Sequence, residues 1–238
     1  IDQAGIDNLG QVAQVDQRTG LSADELKSII GDYDALMIRS GTQVTADVIE
    51  VADRLRIIGR AGVGVDNVDV PAATQRGVLV VNSPEGNTIA AAEHALALLL
   101  SLSRHVPQAH ASMRAGSWDR KKYVGNELYK KVLGVVGLGK IGSHVAKVAK
   151  AMGMEVIAFD PFISADRAQQ MQVRLTTLED LFRQADYITL HIPRTPETEN
   201  LVNAELLRTM KPTARIVNCA RGGIVDEAAI AEAIDSGV

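Results

Sequence analysis

The chain has 238 residues, 46% of them hydrophobic, which allows one large or two modest globular domains with an ordinary buried core. Its 25 Lys and Arg against 29 Asp and Glu give a net charge of −4, which disfavours a general attraction to nucleic acid or to an anionic membrane. The single cysteine cannot form an internal disulfide, and no Cys/His spacing typical of a metal site occurs, so a reducing compartment such as the cytoplasm is the simplest expectation.

The first part of the chain predicts an α/β unit. In LSADELKSII, Ser22 and Glu25 have the spacing of a capping box, and Leu21 and Leu26 that of a hydrophobic staple, so a helix begins there. Three apolar runs predict strands buried on both faces, as parallel strands are, at 35–38, 55–59 and 78–82.

The segment 82–88, NSPEGNT, consists of turn-forming residues and predicts a hinge near Pro84. The apolar stretch 89–102 that follows is too short to span a bilayer and contains Glu93 and His94, so it predicts a core helix. Four more strand-like runs, separated by helical segments, predict a second, doubly wound domain; they lie at 132–136, 155–159, 187–192 and 215–220.

The stretch VLGVVGLGKIG permits two glycine-loop interpretations. Counted from Gly134 it is nearly a P-loop, with Gly139 and Lys140 in place. However, Ile141 stands where a Ser or Thr should hold magnesium, and Gly134 lies inside the apolar run rather than after it. The P-loop interpretation is therefore disfavoured.

Counted from Gly137, the same stretch has the dinucleotide spacing, with Gly139 and Gly142 following. A strand precedes these glycines, an amphipathic helix follows, and the next strand ends in Asp160, where a carboxylate can accept both ribose hydroxyls and repel a 2′-phosphate. The alternative is a turn rich in glycine for packing alone, with Asp160 an ordinary residue before Pro161. The combination favours a Rossmann-type domain that binds NAD rather than NADP.

Four longer stretches carry a family resemblance: GRAGVGVDNVD at 59–69, WDRKKYVGNEL at 118–128, GLGKIG at 137–142 and NCARGGIVDE at 218–227. Together they resemble the D-2-hydroxyacid dehydrogenase family over essentially the whole chain, and in particular its members that act on phosphoglycerate. The first and last stretches are long and specific, whereas the glycine loop is shared with many dehydrogenases. The resemblance implies NAD-dependent oxidation of 3-phosphoglycerate to 3-phosphohydroxypyruvate, the first step of serine synthesis.

The resemblance also implies an architecture of two doubly wound parallel-sheet domains in the α/β class. A substrate-binding domain would span 1–84 and an NAD-binding domain 85–238, both incomplete, because Ile1 and Val238 look like cut ends and leave a targeting segment open. A homodimer or higher homo-oligomer is implied as well. Trp118 and Tyr123 suit an interface, since aromatic residues are enriched there.

The implied catalytic residue is Arg221, whose guanidinium could grip the substrate carboxylate and polarise the C2 oxygen. The alternative for Arg221 is a surface salt bridge. The implied substrate-binding residues are Arg39, Ser40, Arg60, Val63, Gly64, Asn87, Arg120 and Lys121, the last two reaching the neighbouring subunit's site. The alternatives are solvated cations and glycines required only for packing. The implied cofactor-binding residues are Gly137, Gly139, Lys140, Ile141, Gly142, Asp160, Pro161, Pro193 and Cys219.

The histidines at 94, 105, 110, 144 and 191 lack the proton-donor context of the family, in which a Glu holds the catalytic His. That pair is expected after Val238. His191 precedes Pro193 by two residues and borders the cofactor cleft, but we interpret it as structural.

Three function classes remain. The first is the dehydrogenase acting on phosphoglycerate. The second is a related enzyme for glycerate, glyoxylate or another unphosphorylated 2-hydroxy acid, against which Arg39, Arg60 and Arg120 argue. The third is a non-enzymatic, NAD-responsive binding protein, which the intact NCARGG disfavours.

Overall fold

The computed structural model describes residues 1–237, which divide into two compact units, the first Ile1–Asn87 and the second beginning at Thr88. Both units are built on parallel sheets. No helix within the described residues combines the length and the apolar composition needed to cross a membrane.

The first unit has three strands in chain order and four helices. The strands are β1 (Ala35–Ile38), β2 (Ile57–Arg60) and β3 (Leu79–Asn82). The helices are α1 (Gln3–Gly10), α2 (Ala23–Ile30), α3 (Ala46–Glu50) and α4 (Val70–Gln75). The capping box that predicted α2 is confirmed, because the Glu25 N–H donates to Ser22 Oγ and the Ser22 N–H donates to Glu25 Oε2.

The prediction that the strands of the first unit are buried on both faces is wrong. Ile38 and Ile58 are buried in the core with α2, α3 and α4, whereas Met37 is 45%, Val81 46% and Leu79 65% exposed. A sheet whose strands run in chain order without a reversal can place its connecting helices on one face, so alternate residues point away from the core. The apolar runs therefore indicated strands correctly but overstated their burial.

Within residues 88–237, the second unit has five parallel strands in the order β6-β5-β4-β7-β8, so the chain builds the sheet outward first on one side of β4 and then on the other. The strands are β4 (Val132–Val136), β5 (Glu155–Phe159), β6 (Arg174–Leu175), β7 (Tyr187–Leu190) and β8 (Arg215–Asn218). The helices are α5 (Thr88–Arg104), α6 (Val106–Arg114), α7 (Lys140–Ala151), α8 (Ala165–Gln170), α9 (Leu178–Gln184), α10 (Ala204–Leu207) and α11 (Glu227–Ser236), with a short 3₁₀ helix at Arg120–Tyr123. This unit has the predicted doubly wound, Rossmann-like α/β architecture.

Two features determine how the central strand β4 packs in this unit. Gly134 lies inside β4, where a Cβ would overlap the Leu181 side chain of α9, so packing explains this glycine and the P-loop interpretation is wrong. At the first residue of β4, the Val132 N–H donates to Asp186 Oδ2 (2.8 Å), and Lys211 Nζ lies 2.9 Å from Asp186 Oδ1. Partial burial acts to raise the pKa of Asp186, but these two contacts outweigh it and lower the pKa.

Candidate active site

The loops that carry the predicted cofactor residues follow the carboxyl ends of neighbouring parallel strands. The glycine loop follows β4, Asp160 follows β5, Pro193 follows β7, and Cys219 and Arg221 follow β8. Because the strands are parallel, these loops lie at one edge of the sheet, and the strand order reverses there between β4 and β7. In open α/β sheets this edge at the reversal is where ligands bind.

The three glycines of the loop after β4 differ in what requires them. Gly137 has φ +93°, and a Cβ there would lie 2.7 Å from the carbonyl oxygen of His191. A Cβ at Gly142 would overlap the carbonyl oxygen of Gly137. Gly139, in contrast, has φ −64°, and a Cβ there would meet no atom within 4 Å. The protein's own packing therefore explains Gly137 and Gly142 but leaves open space at Gly139.

Gly139 is also the N-cap of α7, a 12-residue helix, and because glycine has no side chain the N-cap residue itself cannot cap the first turn. The amide groups and the positive end of such a helix favour an anion. Lys140 and Ile141 are the first two residues of this helix. The open space at Gly139 and this helix terminus together provide a place where a phosphate group could approach the backbone.

Asp160 is held against the glycine loop. Its Oδ2 accepts a hydrogen bond from the Leu138 N–H at 2.7 Å, and its Oδ1 accepts one from the Phe162 N–H at 2.8 Å. An ionised carboxylate has about four acceptor positions, so each oxygen keeps one for a further donor. The sequence predicted a carboxylate that faces a ribose, but it did not predict that the same group braces the loop.

His191 packs behind the glycine loop, with Nε2 2.9 Å from Thr189 Oγ1. Burial lowers the pKa of His191 to about 4, so the ring is neutral at pH 7. A proton-transfer group works best with a pKa near the operating pH. The structural interpretation of His191 therefore has a physical basis.

The loop after β8 is fixed by Asn218, which sequence reasoning missed. Asn218 Oδ1 accepts from the Ala220 N–H (3.0 Å), and its Nδ2 donates to the Arg221 carbonyl (2.9 Å). The Arg221 guanidinium is partly buried and donates to the Ala220 carbonyl through Nη1 (2.9 Å). An Asn at a strand end that bonds the backbone two residues later is an ordinary turn signal, so this role could have been predicted. Cys219, in the same loop, is half-buried, and burial raises the pKa of its thiol.

The first unit brings five predicted substrate residues to the carboxyl ends of adjacent strands. Arg39 and Ser40 follow β1, Arg60 ends β2, and Val63 and Gly64 lie in the loop after it. Arg39 and Ser40 are exposed.

Arg60 is the unusual member of this group. Its guanidinium lies against Gly62, where a Cβ would overlap Nη1, and its buried Nε has no hydrogen-bond partner within residues 1–237. An unpaired buried donor is costly, so an acceptor that reached Arg60 Nε would be stabilising.

Three other predicted residues lie elsewhere in the chain. Asn87 is exposed at the end of the first unit, after β3. Arg120 and Lys121 are exposed on the 3₁₀ helix of the second unit. The same segment contains Trp118, which is 71% exposed.

Comparison with known proteins gives this geometry a family. The protein-family model described as D-isomer specific 2-hydroxyacid dehydrogenase, NAD binding domain, matches residues 96–238. D-3-phosphoglycerate dehydrogenase of Synechocystis sp. is 64% identical over 236 residues, which cover 99% of this chain and 43% of that protein. The chain thus spans less than half the length of this relative.

Solved structures agree. Apo D-lactate dehydrogenase from Escherichia coli matches with a TM-score of 0.80 and 33% identity over 91% of this chain and 69% of that one. D-lactate dehydrogenase from Aquifex aeolicus, complexed with NAD and lactic acid, matches with a TM-score of 0.87 and 26% identity over 100% and 72% of the two chains. The chain belongs to the D-isomer specific 2-hydroxyacid dehydrogenase family, and its second unit carries that family's NAD binding domain.

Proposed function

We propose that this protein catalyses the NAD-dependent oxidation of 3-phosphoglycerate to 3-phosphohydroxypyruvate, the step that opens serine biosynthesis. The relative with 64% identity bears the name of that activity and supports the reaction class. The observation that carries the choice of substrate is Arg60, whose buried Nε lacks an acceptor at the edge of the first sheet.

The phosphate group of the substrate would supply that acceptor. Arg39 and Ser40 follow β1 and Arg60 ends the adjacent β2, and a phosphate there would accept charge-assisted hydrogen bonds from both guanidinium groups. Each such bond contributes about 1.5–3 kcal/mol, which is enough to separate a phosphorylated acid from an unphosphorylated one. Asn87, Arg120 and Lys121 are further proposed contacts for the substrate.

The residues of the second unit fit NAD. The open space at Gly139 and the N-terminus of α7 suit a pyrophosphate, and the remaining acceptor positions of Asp160 suit the two ribose hydroxyls. Lys140, Ile141, Pro161, Pro193 and Cys219 are proposed to line the same site. When bound, NAD supplies the hydride acceptor.

Arg221 is proposed as the catalytic residue of this chain. Its planar guanidinium can hold a carboxylate with two parallel hydrogen bonds and stabilise the charge that changes on the C2 oxygen. Val63 and Gly64 are proposed to present backbone amides to a carboxylate of the substrate. His191 is not proposed as the proton acceptor, because a pKa of about 4 makes it a weak base at neutral pH. The proton acceptor and its partner carboxylate are proposed to follow Val238.

A second candidate is a dehydrogenase for an unphosphorylated 2-hydroxy acid. The structural likeness to two D-lactate dehydrogenases favours it. An unphosphorylated substrate would bring no phosphate oxygen to accept from Arg60 Nε. This candidate therefore leaves the unpaired buried donor of the first unit unexplained.

We also propose that two copies of the chain associate. Large apolar side chains are exposed on α5, on α6 and in the segment after α6; they are Leu98, Leu100, Leu102, Val106, Met113, Trp118 and Val124. Aromatic side chains and Met are enriched in the cores of protein interfaces. A molecular mass measured by light scattering would test this, and a monomer at micromolar concentration would contradict it. A cytoplasmic location stays a proposal that rests on the single cysteine.

The test of the reaction is the rise in NADH absorbance when the full-length protein receives NAD and either 3-phosphoglycerate, D-glycerate or D-lactate. We expect turnover with 3-phosphoglycerate and at least about tenfold lower kcat/KM with the other two, since one charge-assisted bond is worth that much. Preference for an unphosphorylated acid would favour the second candidate. Absence of turnover with all three acids would contradict both.

A further inference from the structure

Within the described residues 1–87 of the first unit, Asn67 is the one buried polar side chain, with 8% of its surface exposed. It lies between β2 and α4, in the VDNVD stretch. Its Nδ2 group donates one hydrogen bond to the carbonyl of Arg39 (2.9 Å) and another to the carbonyl of Thr42 (2.6 Å). One amide thus bonds both ends of the loop that follows β1.

Backbone contacts continue this connection. The Val44 N–H donates to the Asn67 carbonyl, and the Asp69 N–H donates to the Val44 carbonyl, each at 2.8 Å. Val44 and Val68 form a parallel bridge. The Asn67 side-chain amide therefore holds the loop 39–42. Val44, just after this loop, pairs with Val68, next to Asn67.

The loop 39–42 carries Arg39 and Ser40, whose exposed side chains make no hydrogen bond or ion pair within residues 1–237. Their direction consequently depends on the backbone of the loop. The Arg39 carbonyl accepts from Asn67 and, more weakly at 3.5 Å, from the Thr42 N–H. Without Asn67, the carbonyls of Arg39 and Thr42 would lose their strongest donor.

We propose that Asn67 is a positioning residue that fixes the Arg39–Thr42 loop and thereby sets the selectivity for a phosphorylated substrate. This inference rests on the proposed function, in which Arg39 and Ser40 bind the phosphate. Asn67 touches neither substrate nor cofactor in this role. It acts through the backbone on which the two phosphate ligands are carried.

The test uses the full-length protein with Asn67→Asp, which keeps the shape but replaces the donor by an acceptor, and with Asn67→Ser as a smaller second variant. We expect the KM for 3-phosphoglycerate to rise about 10- to 100-fold, as is usual when a supporting hydrogen bond or a geometry is lost. The KM for D-glycerate and the Kd for NADH should change less than about twofold, since the contacts to them remain. Hydrogen exchange at the amides of 40–44 should accelerate in both variants.

The matched control is Asp69→Ala in the same loop. It removes the cap that the Asp69 carboxylate provides to the Ala72 N–H (2.9 Å) and should lower the melting temperature without changing substrate selectivity. Unchanged exchange at 40–44, or an equal rise in both KM values like that of a merely destabilised control, would overturn the inference. Wild-type protein that does not oxidise 3-phosphoglycerate would instead overturn the proposed function, and the exchange measurement would then decide alone whether Asn67 fixes the loop.

Discussion

The loop after β4 in the second unit and the loop after β2 in the first both follow a strand of a parallel sheet, but different groups shape them. The shape of the loop after β4 depends on its backbone, because Gly137 has φ +93° and Gly142 leaves room for the Gly137 carbonyl. The packing of the loop after β2 depends on a side chain, because the Arg60 guanidinium occupies the space beside Gly62 and its buried Nε has no acceptor within residues 1–237.

This difference has consequences for ligand binding. A site formed by backbone amides is damaged when an atom is added, since close approach is what the glycines permit. A site formed by cationic side chains is damaged when a charge is removed. Substitutions in the two units should therefore weaken different ligands for different reasons, and the variants below test that separation.

The largest effect is expected for Arg221→Lys. An ammonium cannot reproduce the two-pronged contact of a guanidinium, so kcat/KM for 3-phosphoglycerate should fall about 10²- to 10³-fold. The Kd for NADH should not change. Steady-state kinetics and a fluorescence titration of the full-length protein measure the two quantities. Arg183→Lys, an exposed arginine paired with Asp180 on α9, is the control, and comparable kinetics for both variants would contradict the catalytic role proposed for Arg221.

Acid should destabilise the second unit through His191. The native pKa is lowered to about 4, so between pH 6.5 and pH 4 the unfolded chain binds a proton that the native chain does not. The free energy of unfolding should therefore fall as the pH decreases through that window, by on the order of 2–3 kcal/mol between pH 7.5 and 4.5. Urea unfolding followed by circular dichroism measures this. The decrease should be smaller in His191→Gln, and equal decreases in both proteins would show that His191 is not buried as described.

Removal of charge in the first unit is tested by Arg60→Met. The variant keeps the apolar stem but loses the donors, so the KM for 3-phosphoglycerate should rise about 10- to 150-fold, equivalent to about 1.5–3 kcal/mol. The KM for D-glycerate should change little. Arg56→Met, at an exposed position just before β2, is the control. An equal loss with both substrates would remove the phosphate assignment of Arg60.

Addition of atoms in the second unit is tested by Gly139→Val. A Cβ at this position meets nothing in the protein, so the melting temperature should fall much less than in Gly142→Ala. The affinity for NADH should nevertheless fall about 5- to 150-fold, from a steric cost of about 1–3 kcal/mol. Gly142→Ala provides the opposite result, because its Cβ overlaps the Gly137 carbonyl and should lower the melting temperature. Normal NADH titration by Gly139→Val would show that the pyrophosphate lies elsewhere.

The same contrast explains what the sequence could predict. The predictions for β4 and β5 are confirmed residue for residue, because central strands are continuous apolar runs with clear turns after them. β6 was missed, since Arg174–Leu175 is a two-residue edge strand too short to show any periodicity. The central strands and the turns after them can thus be predicted from residue type and local spacing.

Residue type and local spacing do not predict where the side chains of the first unit lie. The partners of the Asn67 amide are 25 and 28 residues away, so no local pattern predicts that it holds the Arg39 loop. The position of Arg60 against Gly62 depends on the path of the loop after β2, which glycine spacing alone does not define. The sequence indicated which residues could bind an anion there, but the arrangement required the fold.

The smallest effect, and the one that separates two roles of one carboxylate, is expected for Asp160→Asn. Because Asp160 accepts from both the Leu138 and Phe162 N–H groups, its replacement weakens the loop as well as any contact to a ribose. The affinity for NAD should fall about fivefold, the equivalent of about 1 kcal/mol for one hydrogen bond, while NADP should bind better because the repulsion of its 2′-phosphate is lost. Titration of both cofactors gives the ratio of their Kd values, and Asp166→Asn, at the exposed start of α8, is the control. If Asp160 only braces the loop, both cofactors should weaken equally and the ratio should stay constant. A smaller preference for NAD over NADP in Asp160→Asn than in the wild type would therefore show that Asp160 recognises the ribose. An unchanged preference would show that Asp160 only braces the loop.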